Sequence, residues 1–274
     1  MALLCCASAG AIAAVDALLP GRSTNGSASC EELAAPLRDK VPIRSPLAVH
    51  NALLPFMRGK NIVEIGSRRG DDFCCYARVA RSAVLFDVKA SYCNAVTSRC
   101  ARDAMRGGQN ATHWASRTGA SNHTVAAPPG KWVICSDYLK ATVVIDADLY
   151  IWWVYPSDTF NPSALRWLKG HVDAGNIRRS AQAVLMSDLQ VLSIKGNPHH
   201  EDDLSRYLRC ASWSADVSFD ESSQDCMQAD KRSTPGCLHT RGVFRVLVVP
   251  LIALSAGHGH GGGAAPTGTV LGCT

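Results

Sequence analysis

Residues Ile62-Val63-Glu64-Ile65-Gly66-Ser67-Arg68-Arg69-Gly70-Asp71 decide how this 274-residue chain is read. A short apolar run ends at Gly66, which predicts a buried strand over 62–65. From Asp71 to Arg81, Phe73, Cys74, Ala77 and Ala80 share one helical face, so strand passes to helix through a turn holding Gly66 and Gly70. Such a turn lets backbone N–H groups approach a ligand, and the helix behind it adds unsatisfied donors and a positive dipole end. A second apolar run, Ala83-Val84-Leu85-Phe86, closes at Asp87, twenty-one residues after Gly66. Turn, helix and acid in that order point to a nucleoside-containing cofactor whose ribose hydroxyls the acid would hold.

Working outward, Tyr92, Val96 and Cys100 repeat at helical spacing, and 107–130 is rich in Gly, Asn, Ser, Thr and Pro, which predicts a long loop. Trp132-Val133-Ile134-Cys135 predicts a third strand, followed by Ser136-Asp137-Tyr138. A fourth strand region is predicted over Val143 to Trp153, with Asp146 and Asp148 inside it. Asn161-Pro162 opens a helix with Leu165, Leu168 and Val172 on one face, and Gly175 ends it. Ala183 to Met186 predicts a fifth strand, His199 to Cys210 a helix, and Trp213 to Phe219 and Val243 to Val249 two final strands. Strands separated by helices predict an α/β fold: a doubly wound, mostly parallel seven-stranded sheet. The last two strands have no helix between them, which predicts an antiparallel edge hairpin. This domain is expected over 45–256, after an apolar leader (1–22) that would serve as a targeting segment or as a loose extension, and a linker (23–44). A Gly/Ala-rich flexible tail is expected over 257–274.

With 47% apolar and 19% charged residues the chain is neither disordered, nor a coiled coil, nor a disulfide-knotted miniprotein. The net charge of +5 is scattered in short pairs such as Arg68-Arg69 and Arg178-Arg179, which gives no clear nucleic-acid footprint. Membrane contact would come only through the leader. None of the twelve cysteines forms Cys-x-x-Cys, and Cys74, Cys93, Cys100 and Cys135 fall in predicted buried elements. Thiols in such places act as small hydrophobes, so reduced structural cysteines are expected ahead of a disulfide framework. Cys226 and Cys237 bracket a polar loop and are the best disulfide pair if the chain is secreted, a route that sequons at Asn25, Asn110 and Asn122 would also fit. Asp146, Asp148 and Asp188 lie near strand ends where Mg²⁺ ligands could sit, but their spacing argues against a metal, and none is assigned. The acids of His199-His200-Glu201-Asp202-Asp203 are read as complements to a helix dipole.

The Glu64-x-Gly66-x-x-x-Gly70 turn resembles the first motif of class I S-adenosylmethionine-dependent methyltransferases, Glu/Asp-x-Gly-x-Gly-x-Gly, with Arg68 in place of the middle glycine. The second-strand acid of that family is present as Asp87, and the closing strand pair is similar to that fold's edge. A nicotinamide-binding turn would keep Gly-x-Gly spacing, which this one lacks. The resemblance covers roughly residues 45–250 and implies methyl transfer from S-adenosylmethionine. It implies that Glu64, Gly66, Ser67 and Gly70 hold the methionine part, Asp87 the ribose, and Asp137 with Tyr138 the adenine side. After the fourth strand, Trp153 and Tyr155 would wall a pocket for the methyl acceptor, whose identity is open. No catalytic residue is implied, because aligning an already activated methyl group needs no dedicated base. The alternative is a non-catalytic protein that keeps the fold, tethered to a membrane or secreted.

Overall fold

The structure, a computed structural model, describes residues 46–66, 73–100, 124–141, 143–152, 162–188, 205–222, 239–257 and 270–273. In chain order its elements are α1 (Leu47–Met57), β1 (Asn61–Ile65), α2 (Phe73–Val79), β2 (Ser82–Asp87), α3 (Ala90–Cys100), β3 (Thr124–Ala126), β4 (Gly130–Cys135), β5 (Val144–Asp146), β6 (Leu149–Trp152), α4 (Pro162–Asp173), β7 (Gln182–Asp188), β8 (Trp213–Ser222), β9 (His239–Pro250), β10 (Leu254–Gly257) and β11 (Val270–Cys273). Short 3-10 turns at Ser205–Cys210 and Leu251–Ala253 lie between the later strands.

Seven strands make the main sheet in the order β4-β2-β1-β6-β7-β9-β8. The first five run parallel, while β9 is antiparallel to both β7 and β8. The chain therefore steps one way from β1 through β2 to β4, then returns to the other side of β1 with β6. This is the doubly wound, mostly parallel seven-stranded sheet with an antiparallel edge hairpin expected from the sequence.

Strands buried on both faces read as continuous apolar runs, and β2 is buried along its whole length. Ile62, Leu85, Val133, Ile151, Val184 and Val246 meet α1, α2 and α3 on one face. Val63, Val84, Phe86, Ile134, Leu185 and Leu247 face α4 and the segment around Val143 and Ile145 on the other. Each such side chain contributes about 1.5–3 kcal/mol on leaving water. Helix α1 forms because Val49, Leu53, Leu54 and Met57 bury against the sheet, although Pro55 lies within it and no side chain caps it. Among the described residues no helix is long and apolar enough to cross a membrane.

Five expectations are corrected. The strand expected over 143–153 is two elements, because the Tyr150 hydroxyl donates to the Ile145 carbonyl (2.6 Å) and accepts the Ala147 N–H (3.1 Å) across a tight turn. β5 then pairs with β3 in a separate small parallel sheet, and β3 lies within the stretch expected to be a loop. Of the helix expected over 199–210, residues 205–210 form a 3-10 turn, and 199–204 lie outside the described residues. Val270–Cys273, expected in a flexible tail, pairs antiparallel with β10. The fifth correction concerns the thiols: Cys74 is bridged to Cys100, Cys93 to Cys135 and Cys210 to Cys273, and Cys75 is disulfide-bonded as well. A buried half-cystine and a buried thiol look alike in sequence, and only the Cα separations of 5.3, 6.0 and 5.5 Å tell them apart. Cys226 and Cys237 lie outside the described residues.

Candidate functional site

Parallel strands end in a row along one edge of the sheet, and β4, β2 and β1 are neighbours there. Two strand spacings separate the outer members, about 10 Å, which is the span of a nucleoside. Strand order reverses between β1 and β6, and open α/β sheets bind ligands at that reversal, beyond the carboxyl ends.

At the end of β1, Gly66 has φ +78°, the left-handed region that a side chain disfavours, and its N–H donates to the Phe86 carbonyl at 2.8 Å. A Cβ at this glycine would meet nothing within 4 Å, so the backbone conformation and not crowding explains the residue. Glu64 is fully buried on the face covered by α1, α2 and α3. Ser67, Arg68 and Gly70 lie outside the described residues.

Asp87 ends β2 and is 6% exposed. Its Oδ1 accepts the Lys89 N–H at 2.9 Å, which fixes the carboxylate in an Asx turn, and the Lys89 ammonium lies 4.6 Å from the centre of the Tyr92 ring. Asp87 stands beside Cys135, its register partner in β4. Beyond Cys135, Asp137 repeats the device: Oδ1 accepts the Leu139 N–H at 3.0 Å, and Oδ2 lies 3.8 Å from the Lys140 ammonium. The Tyr138 ring packs edge-on against Trp167 of α4 at 5.5 Å, and Trp167 against His171 at 4.5 Å. Burial, and then the neighbouring Asp137 charge, push the Tyr138 hydroxyl up to about 12, so it stays protonated at neutral pH. Burial also lowers His171 below the usual histidine value.

Sequence reasoning did not single out Val88, 73% exposed immediately after Asp87, or Leu139, 41% exposed two residues after Asp137. Exposed apolar side chains beside fixed carboxylates are what a flat purine would cover. The available signal was an apolar residue one or two positions after each strand-end acid. Trp153 and Tyr155 lie outside the described residues, but the chain reaches them from Trp152, which pairs with Ile65 at the reversal point.

Asp146 and Asp148 stand at the other edge, ahead of β6. Asp146 accepts the Arg178 Nε at 3.0 Å and Nη2 at 2.9 Å, and Asp148 accepts Nη1 at 2.5 Å. Asp148 also accepts the Asn61 N–H at 2.8 Å, so these acids tie the starts of strands together. The Asp188 side chain lies outside the described ones.

No protein-family model matches the sequence, and no curated protein does. Several solved structures are similar in overall shape. One is a protein from Pyrococcus horikoshii described as an RNA methyltransferase: 9% identity, TM-score 0.48, covering 81% of this chain and 98% of that one. The C-terminal domain of a precorrin methyltransferase from Rhodobacter capsulatus shows 9% identity and a TM-score of 0.46, covering 79% and 95% respectively. A tRNA methyltransferase from Aquifex aeolicus shows 8% identity and a TM-score of 0.46, covering 81% and 76%.

Proposed function

We propose that the chain binds S-adenosylmethionine along the carboxyl ends of β1, β2 and β4 and transfers its methyl group to an acceptor held beyond β6. The observation that carries this reading is the buried Asp87, fixed in an Asx turn at the end of β2 with exposed Val88 beside it. It stands one strand away from the positive-φ Gly66 turn on one side and from the Asp137 turn on the other. A carboxylate held in one orientation suits the two hydroxyls of a ribose, since each of its oxygens accepts more than one hydrogen bond. Val88 and Leu139 supply apolar surface for the adenine, with Asp137 and Tyr138 on the same side. Glu64, Gly66, Ser67 and Gly70 take the methionine part.

When bound, the cofactor supplies an activated sulfonium methyl, so the protein's task is alignment, worth several kcal/mol when the geometry is fixed in advance. Trp153 and Tyr155 are assigned to the acceptor side, because β6 delivers the chain to the reversal point next to β1. The test is equilibrium binding of S-adenosylhomocysteine to the wild-type chain and to Asp87→Ala. Loss of the ribose bonds weakens binding at least about tenfold, or ~1.4 kcal/mol. Equal affinities would remove Asp87 from the site. No binding by the folded wild type would favour the non-catalytic alternative.

A further inference from the structure

We propose that the Cys93–Cys135 disulfide is a redox-set clamp on the cofactor slot; this rests on the reading above and adds to it a means of control. Cys135 is the last residue of β4, in register beside Asp87, and leads directly into the turn of Asp137 and Leu139. Cys93 lies in the first turn of α3, just after the turn of Asp87 and Val88, and its N–H donates to the Lys89 carbonyl at 3.1 Å. One covalent bond thus joins the helix that follows the ribose loop to the strand that precedes the adenine loop, 42 residues apart in sequence.

Among the described residues, helix α3 buries few side chains. Its buried described side chains are Cys93, Val96 and Cys100, and Cys100 is bridged to Cys74 of α2. Two of its three anchors are therefore half-cystines. With the Cys93–Cys135 pair opened, α3 keeps Val96, one small thiol and the Cys74–Cys100 bridge to α2 but loses its covalent tie to β4 beside Asp87, and the slot loosens.

The chemistry is thiol–disulfide exchange with a dithiol reductant. Cys93 is fully buried and Cys135 is partly exposed, so the reductant's thiolate attacks the Cys135 sulfur. A mixed disulfide forms, the Cys93–Cys135 bond breaks, and Cys93 leaves as a thiolate that takes up a proton. The reductant's second thiol then displaces Cys135, which is likewise protonated. Two electrons and two protons pass from the dithiol to the protein, and the reductant ends as a cyclic disulfide.

The full chain, isolated without reductant, is titrated with S-adenosylhomocysteine before and after dithiol treatment, with the thiols released at 93 and 135 mapped by alkylation and mass spectrometry. The clamp predicts at least about tenfold weaker binding once both thiols are mapped, with recovery on reoxidation. The double variant Cys93→Ala with Cys135→Ala, which leaves the other bridges in place, gives the same loss without reductant and decides the question if full reduction unfolds the chain. The pair Cys210→Ser with Cys273→Ser, remote from the slot, binds as wild type does. Binding that is unchanged or tighter after mapped reduction or in the double variant overturns the clamp alone. Absence of binding in the oxidised wild type overturns the cofactor reading and the clamp with it.

Discussion

Replacing Arg178 by methionine keeps the unbranched apolar stem and deletes the charged guanidinium group. The guanidinium makes three hydrogen bonds, two to Asp146 and one to Asp148, while Asp148 also holds the Asn61 N–H at the start of β1. In Arg178→Met both carboxylates lose their cation; Asp146 keeps only the Arg178 backbone N–H at 2.9 Å among these bonds. Hydrogen bonds to charged groups are worth about 1.5–3 kcal/mol each when shielded, and exposed ion pairs about 0–1. The three side chains are 34%, 25% and 20% exposed, so screening removes much of the sum. A net loss of about 2–3 kcal/mol remains, which lowers the thermal midpoint by roughly 4–10 °C for a domain of this size. Thermal unfolding by circular dichroism measures it, and a double-mutant cycle with Asp148→Asn returns a coupling of about 1 kcal/mol or more. Affinity for S-adenosylhomocysteine stays within about threefold, because the cluster sits at the edge opposite Asp87. A midpoint shift below about 2 °C would refute the tie between strand starts. A tenfold loss of affinity at unchanged fold would refute the placement of the site.

Three further outcomes follow from the geometry. Tyr150→Phe leaves the Ile145 carbonyl and the Ala147 N–H without their buried partner and lowers stability by about 1–3 kcal/mol in denaturant titration; no change would mean water replaces the hydroxyl. Burial in α1, against the Tyr76 ring at 5.9 Å, holds His50 down to about 3, so the folded chain keeps it neutral while the unfolded chain protonates it below about 6.5. Stability therefore falls with falling pH through that window, by roughly 2 kcal/mol between pH 6.5 and 5 from this group. His50→Phe flattens the slope by one proton, and parallel slopes would contradict the burial. Val88→Asp, at an exposed position, leaves the thermal midpoint within about 1 °C yet weakens S-adenosylhomocysteine several-fold by setting a charge against the purine and beside Asp87; unchanged affinity would take Val88 out of the slot.

The parallel sheet was legible because strands buried on both faces must be apolar throughout, and β1, β2, β4 and β7 announce themselves that way. The carboxyl edge of the sheet was legible for a related reason: Gly66, Asp87 and Ser136 with Asp137 each stop an apolar run with residues that an apolar strand interior would not hold. What sequence hid was held by contacts between distant residues. Helix α1 carries Pro55 and no capping side chain, and its stability comes from burying Leu53 and Met57 under the sheet. The break at Ala147 depends on a hydroxyl three residues later folding back on it. β11 is four residues long and gains its place by pairing with β10, by the Cys210–Cys273 bridge and by packing against the core. Asp146 and Asp148 show the converse: sequence placed them near strand ends and left them without a role, because which edge such acids occupy depends on where the strand starts, and here they precede β6.

The most direct test of the cofactor reading is isothermal titration of the full-length oxidised chain with S-adenosylhomocysteine, alongside adenosine and a nicotinamide dinucleotide. Saturable binding at one site per chain is predicted, with adenosine weaker for lack of the amino-acid part and the dinucleotide showing no saturation. A folded chain that takes up no S-adenosylhomocysteine at millimolar concentration, or that prefers the dinucleotide, would contradict it.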